Sequence, residues 1–227
     1  MAPLSRSRRR VAVLVPLALL SAFVAAGVAV RWRYTGSHEA ANLPWNLFLA
    51  WIPLGLALAV YDAHRRGARL AWVLAGGTLW LLFFPNAPYL VTDLKHLGAW
   101  SGAPEWFDVV LVSAAAWTGL LLGFASLYLV QAVVRELRGA TAAWAVVVGS
   151  IALGSFGIYL GRFERWNSWD ALTSPRPLLA DLWAGGTNPV AHPRVLAVTV
   201  LFTGFLTLAY LTFYSLVAFG RSEREPF

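Results

Sequence analysis

The sequence predicts an all-α integral membrane protein, a six-helix transmembrane bundle, and three observations carry that prediction. Six apolar stretches come close to or exceed the roughly 20 residues that a helix needs to cross a bilayer. Charged residues make up only 13% of the chain, against about 25% in an ordinary soluble domain. Basic residues also gather on alternate connections, the pattern expected when cytoplasmic segments retain positive charge.

The predicted spans are Val11–Val30, Leu43–Val60, Leu70–Phe84, Phe107–Gln131, Thr141–Gly161 and Val195–Phe219. The first follows Arg6, Arg8, Arg9 and Arg10, which place the amino terminus in the cytoplasm. Ser7-Arg8-Arg9-Arg10 before an apolar run also has the form of a twin-arginine export signal, with Ala25-Ala26-Gly27 as small residues for cleavage. The length of the run fits an uncleaved anchor better than a signal core of roughly 7–15 residues. Short basic connections, Asp62 to Arg69 and Ala132 to Gly139, join spans two and three and spans four and five as hairpins. With both termini inside, the whole net charge of +7 falls on the cytoplasmic face and the outer face sums to zero. That distribution speaks for a membrane and against nucleic acid as the partner. Residues 1–10 then form a basic cytoplasmic N-terminus, 11–219 a single membrane domain and 220–227 a cytoplasmic tail. Cysteine is absent, which excludes disulfides and thiolate chemistry.

The third span is short, and Pro85 and Pro88 remove two backbone donors at its end. A broken span is expected there, with Asn86 capping a second short helix that stops at Gly98. On that helix Asn86, Tyr89, Asp93 and His96 share one face, and Leu90, Leu94 and Leu97 form an apolar companion face. Gly119 and Gly123, and likewise Gly157 and Gly161, have the small-xxx-small spacing of close helix contacts, expected to pack spans four and five together. The outer segment Ala171–Arg194 holds the prolines and glycines of a cover, with a short interfacial helix around Leu178–Trp183.

Ionisable residues at a membrane boundary point to a site. Asp93 or His96 is the candidate general base and Asp108, at the start of span four, its partner. Arg162 and Arg165, three residues apart at the end of span five, are candidate clamps for an anionic group. Asn46, Asn86, Tyr89, Asn167 and Asp170 complete the candidate substrate contacts. Asn46 lies one turn into an apolar helix, so its amide must seek the outer polar cluster. Asp93 and His96 with Asp108 or Asp170 make too sparse a donor set to assign a metal, and no cofactor is assigned. The other histidines, 38, 64 and 192, read as solvated loop residues.

The strings Asn46-Leu-Phe-Leu-Ala-Trp-Ile-Pro, Leu79-Trp-Leu-Leu-Phe-Phe-Pro-Asn-Ala-Pro-Tyr-Leu-Val-Thr-Asp-Leu-Lys-His-Leu and Tyr159-Leu-Gly-Arg-Phe-Glu-Arg-Trp-Asn-Ser-Trp-Asp resemble a bacterial multi-pass membrane family, domain of unknown function 1361. The resemblance runs from about Asn42 into the final span and omits the first. It implies a multi-span membrane fold and no assigned activity. The family pattern has an apolar residue where this chain has Glu164, so lipid packing at that position is not implied.

The sequence therefore reads as a multi-pass protein of the cell membrane, the bacterial inner membrane, with a polar site at the extracytoplasmic face. The leading function is an enzyme acting on a lipid or lipid-linked, amphiphilic substrate. A small transporter or lipid/ion-binding protein is the alternative, as is a non-catalytic membrane assembly partner. A transporter places ionisable groups near the bilayer midplane, and here the middles of the spans carry no charge.

Overall fold

The computed structural model describes residues 6–166, 170–174, 176–177 and 193–222. The described residues form helices joined by turns and short irregular connections, without strands. The helices are α1 (Arg6–Thr35), α2 (Asn42–Arg65), α3 (Leu70–Phe83), α4 (Asn86–Tyr89), α5 (Glu105–Tyr159), α6 (Asp170–Thr173) and α7 (Pro193–Ser222). A 3-10 turn, Leu90–His96, continues α4, and a π turn, Leu160–Glu164, continues α5. Among the described residues, five helices are long and apolar enough to cross a membrane, at Arg10–Thr35, Asn42–Arg65, Leu70–His96, Glu105–Glu164 and Pro193–Gly220. The chain divides into two compact units, residues 1–54 with 86–123 and residues 55–85 with 124–227.

In the first unit α1 presents Leu17, Ser21, Val24 and Arg31 inward, and Val24 is fully buried. The Trp51 indole of α2 donates to the Ser21 hydroxyl at 3.0 Å, and Gly27 lets Leu111 of α5 approach closely. Gly119 and Gly123 receive Ala87, Pro88 and Leu90 instead of another long helix. A Cβ on Gly119 would lie 2.5 Å from the Ala87 carbonyl oxygen. The small-residue spacing therefore serves the proline-containing segment rather than the expected packing of spans four and five. The absence of side chains admits backbone and a bulky ring at once.

The second unit repeats the device. Gly154 lies against the Phe84 ring and Gly157 against the Pro85 ring. The Trp80 indole donates to Ser126 at 3.1 Å, satisfying both groups in a buried setting. Val60, Val73 and Val133 form a cluster where α2, α3 and α5 meet.

Helix α5 is one element by hydrogen bonding, but Gly139 has φ 87° and ψ 177°, a conformation open to glycine. Phe124 and Trp144 would lie about 30 Å apart on a straight helix rising about 1.5 Å per residue. Both rings contact Tyr210 of α7, with centroids 5.6 Å and 6.3 Å away. The chain therefore doubles back at Gly139, and α7 packs along both arms. Tyr210 also donates to Gln131 at 2.7 Å, so the hydroxyl of a buried tyrosine is satisfied.

The expected face arrangement after Pro85 is altered by winding. In a 3-10 turn residues three apart eclipse one another, so Leu90 and Asp93 are buried together while Leu94 turns outward. Leu90, Leu94 and Leu97 do not form one apolar face. Arg162 and Arg165, three residues apart, do not share an α-helical face. The π turn and the left-handed Arg165, at φ 61°, take the chain out of α register between them. Glu164 is exposed and accepts a hydrogen bond from the Tyr159 hydroxyl at 3.0 Å. Asn167, His192, the expected helix at 178–183 and the last five residues lie outside the described residues.

Candidate functional site

The site begins with a carboxylate that cannot reach water. Asp93 is 0% exposed, and a group of that kind needs polar partners where it sits. The Asn46 amide of α2 donates to Asp93 Oδ2 at 3.1 Å. One turn along the 3-10 helix, His96 Nε2 lies 3.9 Å from Asp93 Oδ1. That separation is an ion-pair contact and longer than a hydrogen bond. The His96 side chain is 27% exposed, so the pair joins a buried carboxylate to a partly exposed imidazole. Asn86 and Tyr89 of α4, both half-buried, precede it on the same segment.

The peptide after His96 turns sharply. Ala99 N–H donates to the His96 carbonyl at 3.0 Å, and Gly98 takes φ 75°, which a side chain would resist. The turn brings Trp100 back over His96, with ring centroids 5.6 Å apart and planes inclined by 16°. On the Trp100 ring sits the Arg31 guanidinium, 5.0 Å from the centroid, within cation–π range.

Arg31 is the largest surprise of this unit. It is 1% exposed and grips Asp108 with two bonds, Nε to Oδ1 at 2.8 Å and Nη2 to Oδ2 at 3.3 Å. Nη2 also donates to Glu39 at 3.2 Å and to the Ser101 carbonyl at 3.1 Å. Glu39 in turn accepts the Ser101 backbone N–H at 3.2 Å. Asp108, the suggested partner of the general base, is thus engaged by Arg31 through both oxygens, which ties the start of α5 to α1. Sequence reasoning missed Arg31, Glu39 and Trp100. The one available signal was spacing, since Arg31 stands seven residues beyond Val24 and fourteen beyond Leu17 on one face of α1.

Glu39 carries a pH signature. The Ser101 N–H, followed by Arg31, holds its carboxyl below the ordinary glutamate range. A depressed value means that its stabilisation is complete above the ordinary glutamate range. It disappears as pH falls through the depressed value. We expect the melting temperature in detergent to decline on acidification from about pH 5 to pH 3. Glu39→Gln should soften that decline, while the effect stays small because the group is solvent-screened. Identical acid limbs for both proteins would refute the assignment.

The remaining candidates lie in the second unit. Arg162 is half-buried in the π turn and Arg165 is exposed just beyond it. Asp170 opens α6, where it accepts from the Thr173 hydroxyl at 3.4 Å. Among the described residues, no group of three His, Asp or Glu side chains is placed to hold a metal ion.

No curated protein and no solved structure shows a significant match to the chain. One family model, described as a protein of unknown function (DUF1361), matches residues 45–210, well over half of the sequence. The match contains Asn46, Asp93, His96, Trp100 and Asp108 and begins after α1, so Arg31 is outside it. The chain belongs to that family, DUF1361.

Proposed function

We propose that this is a six-crossing protein of the cell membrane, N-in and C-in, with an extracytoplasmic site acting on an amphiphilic or lipid-linked substrate. His96 is the general base and Asp93 orients its imidazole and stabilises the imidazolium. Asn46 holds Asp93; separately, in the second unit, Arg162 and Arg165 are proposed to supply positive charge for an anionic headgroup. Asn86 and Tyr89 are the proposed substrate contacts of the first unit, and Asn167 and Asp170 are those proposed for the second. The observation that carries this reading is the contrast within one pair: a carboxylate removed from water beside an imidazole that is not. Six crossings are supported by the reversal at Gly139 and by the distribution of arginine along the sequence.

His96→Gln and Asp93→Asn are expected to lower the protein's activity by about a hundredfold or more. The readout is complementation of a deletion strain, with protein abundance monitored in parallel. Full complementation by both variants at normal abundance would dismiss the catalytic reading in favour of a non-catalytic assembly role.

A further inference from the structure

We infer that two arginine-bearing turns of the second unit together bind the headgroup of an anionic glycerophospholipid, which rests on the proposed membrane setting and not on Asp93 or His96. The basis is a carboxylate that joins segments distant in sequence. Glu136 of α5 lies 3.0 Å from His64 Nε2 through one oxygen and accepts from Arg65 at 3.5 Å through the other. The end of α2 is thereby held against the arm of α5 that leads into the Gly139 reversal.

Local chemistry puts arginine at the tip of each turn. Helix α2 stops where Gly67 takes φ 73°. Ala68 N–H then returns to the Ala63 carbonyl and Gly67 N–H to that of His64, each at 3.0 Å, the hydrogen bonding of a left-handed glycine ending. Arg66 and Arg69 flank this turn, and both are exposed. On the other turn Arg138 immediately precedes Gly139 and is exposed as well. Arg135 donates to the Tyr214 hydroxyl at 3.3 Å, so α7 braces the same end of the unit.

Charge and apolar surface then meet in one place. Five arginines, at 65, 66, 69, 135 and 138, stand against two acids, Asp62 and Glu136, and Glu136 is shared by His64 and Arg65. Beside them Trp72 is 70% exposed, and Leu70 and Leu137 are exposed too. A guanidinium holds a phosphodiester through paired N–H donors. An indole settles at headgroup level, and the leucines carry the surface on towards acyl chains. A basic cluster between helices, set at the membrane boundary, favours an anionic lipid over a zwitterionic one. Free phosphate would use only the charged part of this surface.

The test uses full-length protein in a nonionic detergent at low ionic strength. It is titrated with phosphatidylglycerol or phosphatidylcholine, and bound lipid is counted by native mass spectrometry. Each arginine at a membrane surface is worth about fivefold in affinity for an anionic lipid. Arg66→Gln/Arg138→Gln, one change on each turn, should therefore weaken phosphatidylglycerol binding about 25-fold and leave phosphatidylcholine unaffected. Arg33→Gln/Lys95→Gln removes the same charge from exposed positions of the first unit and should change neither. Melting temperatures without added lipid check folding. Arg69→Gln, expected to cost about fivefold, gives the reading if the double variant is unstable. Undiminished phosphatidylglycerol binding after the changes on the two turns would overturn the site. Equal loss in the two double variants would do so too, by reducing the effect to net charge. Competition by an equal concentration of inorganic phosphate would identify a free-anion site and overturn the choice of lipid. Asp93→Asn, which should silence complementation, should bind phosphatidylglycerol like wild type, so the catalytic reading and this one fail separately.

Discussion

Arg31→Met should cost the folded protein about 3–5 kcal/mol, the range for breaking a buried ion pair from one side. The loss is expected because Asp108, 4% exposed, would be left buried with its bidentate partner gone. Methionine fills much of the same volume, so packing contributes little to the change. The Ser101 carbonyl and Glu39 would lose a donor too, but Glu39 is solvent-accessible and adds less. Arg31→Met/Asp108→Leu should recover most of the stability, since replacing both members of such a pair by apolar residues is often neutral or favourable. Thermal unfolding in detergent of the wild type, both single variants and the double variant gives the coupling energy directly. A melting temperature for Arg31→Met equal to wild type would show that this pair does not anchor α1.

Gly119→Ala is the second large effect, expected at about 1–3 kcal/mol for one added methyl group. The new Cβ would stand 2.5 Å from the Ala87 carbonyl oxygen, 2.7 Å from Leu90 Cδ1 and 3.0 Å from Leu90 Cβ. A backbone carbonyl cannot swing aside as a side-chain end does, so the segment from Pro85 to His96 must move as a piece. Asp93 moves with it, and its hydrogen bond to Asn46 is lengthened. Gly27→Ala is the informative control. Its Cβ would approach only Leu111 Cδ1, at 2.7 Å, the flexible end of a side chain that can change rotamer. Melting temperatures should therefore fall clearly for position 119 and little for position 27. Equal behaviour at the two positions would contradict the cradle described for α4.

The two predictions mark the limits of what sequence patterns reveal here. Gly119 and Gly123 were legible as a site of close approach, because only small residues at a spacing of four let backbones meet. Their partner was not legible. The same spacing would accept a long helix, and nothing local distinguishes that from the carbonyl of Ala87. Asn46 was legible as an amide in need of partners, and its bond to Asp93 answers that need. The grouping of Asn86, Tyr89, Asp93 and His96 assumed α-helical spacing. A 3-10 turn with residues eclipsed at three gives a different buried edge, and the choice between the two windings depends on what packs around them.

By itself the sequence determined the all-helical class, the presence of helices long and apolar enough to cross a membrane, the arrest of α3 near Pro85 and the need of Asn46 for a polar partner. These follow from short-range causes: hydrocarbon length, missing proline donors and the cost of burying a polar group. Only the tertiary structure decided that Arg31 belongs to Asp108 and that Trp100 lies between the guanidinium and the imidazole. In a helix apolar on every side, composition does not say which face turns inward, because lipid and protein interior are equally apolar. A long-range pair such as Arg31 and Asp108 is then set by packing and becomes visible only when distant segments are brought together.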